Sequence, residues 1–296
     1  MGLRCLTAMY ETRSSEIVNI VTFDDRSDTR HVFQELHCFG EQHRIPVTVT
    51  HGSADLNAAV RSSEPELAIV CGWYSMIASQ TRAAARRGFI GVHNSLLPRY
   101  RGAAPLVWAM LQGEREVGLS MYTLTSGMDD GDVWAQTSTP VGADDYIGDV
   151  LTRLEDACGD MIRRVYPRIL EDAIKPAAQN ASKATYGTLR SRDHGRLDWH
   201  DPVDRIYRGV RAQSKPYPGA FTWCDGRRLT IWRAHPFSSA YYGRPGEVVK
   251  GPSGELMVIC GDQRALVIDS MQLDEDPIDA GRELLRPRTL LGVDAA

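Results

Sequence analysis

A histidine, an asparagine and a serine stand together at His93, Asn94 and Ser95, within the stretch GVHNSLLPRYRG at 91–102. An imidazole takes up and releases protons near neutral pH, so His93 is the candidate acid–base group. A lone histidine in an apolar setting is more often a packing residue. Here, however, it follows an apolar, strand-like run at 89–92 and precedes a proline-stiffened turn, where a rigid scaffold displays a working side chain. Arg99 and Arg101 flank Tyr100 in that turn. Read as surface, they are an ordinary turn; read as a site, they are planar forks for a phosphate or carboxylate.

Three carboxylates follow in GMDDGD at 127–132. They fit a solvated loop, a metal site or a partner for His93. The metal reading is weak, because the spacing lacks the ligand count and closing glutamate of a calcium loop. A carboxylate beside His93 would fix its tautomer and favour its charged form. Gly72-Trp73-Tyr74 after the apolar run LAIVC fits either core aromatics or a stacking wall for a flat ligand.

The elements that must position these groups alternate through the first half. Strand-like runs at 16–23, 45–49, 67–71, 89–92, 117–124 and 134–140 are interleaved with helical spacing at 29–43, 55–61 and 81–87. This predicts a mostly parallel sheet with helices on both faces and a site at the strands' carboxyl ends. The chain opens at 3–10 on a helix rather than a strand, so the first strand expected of such a domain is missing and the true start is expected upstream. A long amphipathic helix spans 144–170. Residues 175–183 lose periodicity and read as a linker. Beyond them a short helix at 202–212 precedes strands at 220–223, 228–234, 246–250, 255–259 and 265–272 with glycine turns, which predicts a small barrel. The domains expected are therefore 1–174 and 186–296, with a linker at 175–185.

Composition bounds the possibilities. The chain has 296 residues, 43% hydrophobic and 24% charged, with a net charge of −4. That mix is globular, and the acidic balance argues against a sequence-independent grip on nucleic acid. The six cysteines are scattered with no CxxC pair, so neither zinc nor a disulfide framework is indicated and a reducing cytoplasm is expected. No membrane-length apolar run and no signal peptide is visible.

Taken together, HNSLLPRYRGAAPLVWAMLQGEREVG, SGMDDGDVWAQ, GRLDWHDPVDRIYRGVRA and PYPGAFT resemble the 10-formyltetrahydrofolate-dependent formyltransferases over nearly the whole chain. The resemblance implies an α/β, Rossmann-like formyltransferase domain followed by an OB-like β-barrel. It implies transfer of a formyl group to a primary amine, with 10-formyltetrahydrofolate as co-substrate and no metal. His93 becomes the proton-handling group and Asp129 its partner. Folate is implied along Cys71, Gly72, Trp73, Tyr74 and Met76 and along Ser126, Gly127 and Met128. The acceptor is implied along Ser95, Leu97, Pro98, Arg99, Arg101 and Gly102. In one respect the chain departs from the pattern: the family's asparagine two residues before the histidine is Gly91 here. Losing an oxyanion donor costs roughly 10²–10³ in rate. Asn94, a backbone N–H or a water are the candidate replacements.

The acceptor is expected to be a small, nucleotide-linked amino sugar, because Phe23-Asp24-Asp25 followed by Ile45-Pro46-Val47 resembles the sugar-modifying branch. Methionyl-tRNA is the alternative; a basic patch of Arg205, Arg208, Arg211, Arg227 and Arg228 would favour it. Formylation of an amino acid or hydroxamate precursor is a third reading, and a folate-binding or scaffold protein without turnover a fourth. A homodimer is a further possibility.

Overall fold

The computed structural model describes all residues except 27, 29, 30, 281, 283, 284 and 293–296. The chain divides into two compact units: Met1–Leu106 with Arg115–Val141 and Val150–Thr188, and Val107–Glu114 with Gly142–Asp149 and Leu189–Ala296.

In the first unit α1 (Gly2–Arg13), β1 (Ile20–Thr22), α2 (Phe33–His43), β2 (Val47–Val49), α3 (Ser53–Ser63), β3 (Ala68–Cys71), α4 (Ser79–Arg82) and β4 (Phe89–His93) alternate in the predicted order. β1 is shorter than predicted, starting at Ile20, and Ser14–Glu16 form a 3-10 turn before it. The helix predicted from residue 29 starts at Phe33, residues 29 and 30 lying outside the described residues. α4 is a single turn, shorter than the predicted 81–87. β5 (Arg101–Gly102) follows, and then α5 (Pro105–Leu111), whose residues from Val107 on belong to the second unit.

β1 pairs in parallel with β2, and β3 with β4. The expectation of a mostly parallel sheet fails beyond them. β6 (Glu116–Thr123) runs antiparallel to β4, and β7 (Val133–Pro140) antiparallel to β6, giving a four-stranded sheet in the order β3-β4-β6-β7. Side chains alternate with period two whichever way a partner runs, so an apolar run carries no sign of strand direction. β6 is the most deeply buried strand of this sheet, with Leu119 and Met121 fully covered. Burying each such side chain stabilises the unit by about 1.5–3 kcal/mol.

α6 (Ile147–Leu170) starts three residues later than predicted and buries Val150, Leu154, Cys158, Met161 and Ile162 along one stripe. The stretch read as a linker is bonded into the first unit. Ala177 exchanges two backbone hydrogen bonds of 2.8 Å with Val133, and β8 (Tyr186–Gly187) lies parallel to β5.

In the second unit α7 (Val203–Gln213) precedes β9 (Ala220–Cys224), β10 (Arg227–Pro236), β11 (Val248–Lys250), β12 (Leu256–Ile259) and β13 (Ala265–Leu273). All ladders are antiparallel, in the order β11-β12-β13-β10-β9, and register shifts along β10 help curl the sheet. Val203, Ile206 and Val210 of α7 share a core with Leu229, Ile231, Val258, Leu266, Ile268 and Met271. The result is a small β domain with a curled antiparallel sheet. No helix among the described residues is long and apolar enough to cross a membrane.

Candidate active site

The site is built on the β4–β6 ladder. Gly91 lies directly opposite Tyr122 and His93 opposite Ser120. Residues two apart on a strand, and residues facing each other across a ladder, share a face of the sheet. Tyr122 therefore stands on the face that carries His93, above the bare backbone of Gly91. The rings of His93 and Tyr122 meet edge to face, 6.1 Å between centroids.

Two chain reversals complete the site. The turn after β4 passes through Tyr100, whose φ of 56° bends the chain back, and its carbonyl oxygen lies 2.8 Å from His93 Nε2. A carbonyl only accepts, so Nε2 carries the hydrogen and Nδ1 the lone pair of the neutral ring. The loop between β6 and β7 bends at Asp129, φ 49°, and places Asp129 Oδ2 3.8 Å from His93 Nδ1. A proton taken up at Nδ1 would thus create an imidazolium facing a carboxylate.

Asp129 is held from several sides. The Gly102 N–H donates to Oδ2 at 2.7 Å, and the Tyr122 hydroxyl donates to Oδ1 at 2.5 Å. Gln179, in the segment read as a linker, donates from Nε2 to the carbonyls of Asp129 and Gly131 at 2.8 and 2.7 Å. Side chains of His93 and Asp129 are only 11% and 18% exposed, so their interaction is weakly screened by solvent. Burial, and then the charge of Asp129, push the Tyr122 phenol well above its ordinary range, so it stays protonated and remains a donor. A proton acceptor with one open nitrogen, backed by a fixed carboxylate, is the equipment for general acid–base proton transfer.

Residues 17–166 match the family described as Formyl transferase, and residues 190–288 match Formyl transferase, C-terminal domain. A methionyl-tRNA formyltransferase from Anaeromyxobacter sp. (strain K) is 35% identical over 243 residues, which cover 80% of this chain and 78% of that protein. The chain belongs to the formyl transferase family. Solved structures share the fold. An N-formyltransferase from Helicobacter canadensis, solved with folinic acid and dTDP-3-aminofucose, aligns with a TM-score of 0.65 at 14% identity over 90% of this chain and 94% of its own. HypX from Aquifex aeolicus, solved with tetrahydrofolic acid, aligns with a TM-score of 0.66 at 21% identity over 88% of this chain, which spans 45% of that longer protein.

The other residues expected to serve this formyl transferase divide into groups. Asn94 is half-buried and has no side-chain hydrogen bond among the described residues. Ser95 is buried and donates to the Arg99 carbonyl at 2.7 Å, which sets the turn. Leu97 is buried beside the cis Leu97–Pro98 bond. Arg99 is exposed, its guanidinium 5.3 Å from the Tyr100 ring centroid. Arg101, expected to grip an anion, is buried at 5% exposure and is already bonded to Gln179 Oε1 at 2.8 and 3.2 Å and to the Tyr186 hydroxyl at 3.3 Å. Gly102 has φ +91°, and a side chain there would press on the Gly187 carbonyl at 2.6 Å and the Met128 sulfur at 3.1 Å.

Ser126 and Met128 are exposed on the Asp129 loop, and Gly127 packs closely against the Asp130 carboxylate. Met76 is exposed and Gly72 takes a positive φ. Trp73 and Tyr74 join Phe23, Asp24, Thr50, His51, Gly52 and Ser75 around a cleft of about 340 Å3 at the ends of β1, β2 and β3. Phe23 meets both aromatic rings edge to face, and the buried indole N–H of Trp73 has no acceptor among the described residues. The neighbouring Cys158 thiol, and then burial, push the Cys71 thiol well above its ordinary range, so it stays protonated.

In the second unit the five arginines are mostly committed. Arg205 pairs with Asp201 and Arg227 with Asp274 and Asp276. Arg208 donates to the Leu111 carbonyl and Arg211 to that of Asp145. Arg228 stacks on Phe221, 4.0 Å from the ring centroid. Among the described residues no group of three or more His, Cys, Asp or Glu side chains is arranged to hold a metal ion. Sequence reasoning missed Tyr122 and Gln179. Cross-strand register would have revealed the first; nothing local marks the second.

Proposed function

We propose that the chain transfers the formyl group of 10-formyltetrahydrofolate to a primary amine at the His93–Asp129 pair. The single observation that carries this reading is the open Nδ1 of His93, with Nε2–H tied to a carbonyl and Asp129 fixed opposite. The neutral amine attacks the formyl carbon, and its nitrogen loses a proton to Nδ1. Asp129 balances the imidazolium. As the tetrahedral intermediate collapses, the bond from carbon to N10 breaks and the same proton goes to N10. The imidazole is restored, the amine carries the formyl group and tetrahydrofolate leaves. The cleft at Phe23, Trp73 and Tyr74 offers aromatic walls for a flat ring.

The acceptor we propose is a small, nucleotide-linked amine such as an amino sugar. Support comes from the second unit, where Arg205 and Arg227 are paired with aspartates and Arg211 is buried; a phosphate-binding face needs its cations available. A second reading, methionyl-tRNA, is favoured by the 35% identity to a methionyl-tRNA formyltransferase. The experiment mixes purified protein and 10-formyltetrahydrofolate with nucleotide amino sugars, free amino acids and methionyl-tRNA. Amine-dependent tetrahydrofolate release with a formyl mass gain on one acceptor is the expected result. Release with none of them, beside intact folate binding, overturns the transfer reading.

A further inference from the structure

Gly91 occupies the middle of β4, where a glycine weakens a strand and marks a close approach by something else. It is not among the glycines with positive φ, so space rather than backbone conformation demands it. The space is taken by Tyr122: a Cβ at residue 91 would lie 2.7 Å from Tyr122 Cε1 and 3.1 Å from Cζ, with Leu124 Cδ1 at 2.5 Å. The ring that fills this volume carries the hydroxyl that holds Asp129 Oδ1.

We propose that Tyr122 is a positioning residue of the reaction, and that Gly91 is glycine so that the Tyr122 ring can lie against β4 and hold Asp129 toward His93. This inference rests on the proposed transfer at His93 and Asp129. The hydroxyl has one hydrogen, spent on Asp129, so Tyr122 acts through the carboxylate rather than on substrate. Gly102 N–H holds Oδ2 and Tyr122 holds Oδ1, which leaves the carboxylate little rotation while Nδ1 changes charge. Catalytic geometry of this kind depends on such support, because a misplacement of about 1 Å costs on the order of a hundredfold in rate. The missing side chain at residue 91 is thus the steric counterpart of an added phenol, not a gap in a decayed site.

The test uses Tyr122→Phe, which keeps the ring and removes the oxygen. Steady-state formyl transfer is measured for the full chain, for Y122F, for Asp129→Ala and for the Y122F/D129A pair, with His93→Ala as control. We expect kcat of Y122F to fall about tenfold to a hundredfold, the equivalent of a hydrogen bond to a charged group. KM for both substrates and the folate Kd should stay within about twofold, as for a group that matters only when the proton moves. In the D129A background, Y122F should cost less than about twofold more, because the two act as one unit. An unchanged kcat in Y122F, a loss confined to KM, or losses that multiply in the double variant overturns the positioning role. Wild-type turnover in both H93A and D129A overturns instead the transfer reading on which it rests.

Discussion

Replacing Gly91 by alanine adds one methyl group to a wall with no room for it. The new carbon would meet Leu124 Cδ1 at 2.5 Å and Tyr122 Cε1 at 2.7 Å, against ordinary carbon contacts of about 3.5–4.0 Å. The Leu124 methyl can rotate aside. The Tyr122 ring cannot retreat by the required ~1 Å without stretching its bond to Asp129. Overpacking of this kind costs about 1–3 kcal/mol. Removing a strand glycine returns about 0.5–1 kcal/mol by reducing the freedom of the unfolded chain. The net expectation is a loss of about 1–2 kcal/mol, which lowers Tm by about 2–8 °C for a unit of this size. Differential scanning calorimetry measures it. A companion, Gly91→Ala with Tyr122→Val, should be less destabilised than the sum of its single variants, since each change relieves the other. A G91A protein that melts at or above wild type, or penalties that simply add, would refute the claim that Tyr122 dictates the glycine.

Further expectations concern the same site and its surroundings. Asp129→Asn removes the charge that faces Nδ1, and kcat should fall about 10²–10⁴-fold with folate affinity retained, as read by single-turnover transfer beside a binding titration. Gln179→Ala frees the carbonyls of Asp129 and Gly131 and leaves Arg101 with only the Tyr186 hydroxyl of its two side-chain acceptors; turnover should drop while the melting point of the second unit stays put. Alkali should reveal the buried phenols. Burial raises Tyr122 and Tyr207 well above the ordinary range and Tyr166 to about 12. The sign follows from linkage: stability from these neutral phenols is complete below the unfolded value of about 10 and is lost as pH rises through the folded ones. Phenolate absorbance should therefore appear partly in a cooperative step together with loss of circular dichroism, and a smooth titration of all tyrosines with the fold intact would contradict it.

Much of the scaffold is legible in residue order because local periodicity reports burial. The runs LAIVC and FIGV, the stripe through Val150, Leu154 and Met161, and the glycine-punctuated strands after residue 219 all appear as predicted, within a few residues at their ends. His93 at a strand end and Asp129 in a glycine-flanked turn could likewise be singled out, because histidine and aspartate carry chemistry wherever a scaffold exposes them.

Three-dimensional packing decided the rest. Whether β6 runs with or against β4 depends on long-range pairing, and that choice sets Tyr122 opposite Gly91. In the sequence Tyr122 is one more aromatic in an apolar run, and Gly91 reads as a missing donor; only the ladder shows that they share one volume. Gln179 looks like a polar linker residue because its partners, Asp129, Gly131 and Arg101, lie 48 to 78 positions away. Arg101 looks like an anion fork until the same fold buries it. Side-chain type and spacing state what a residue can do. Which partner it meets is settled by the contacts that closing the chain brings together, and those contacts leave no periodic trace along it.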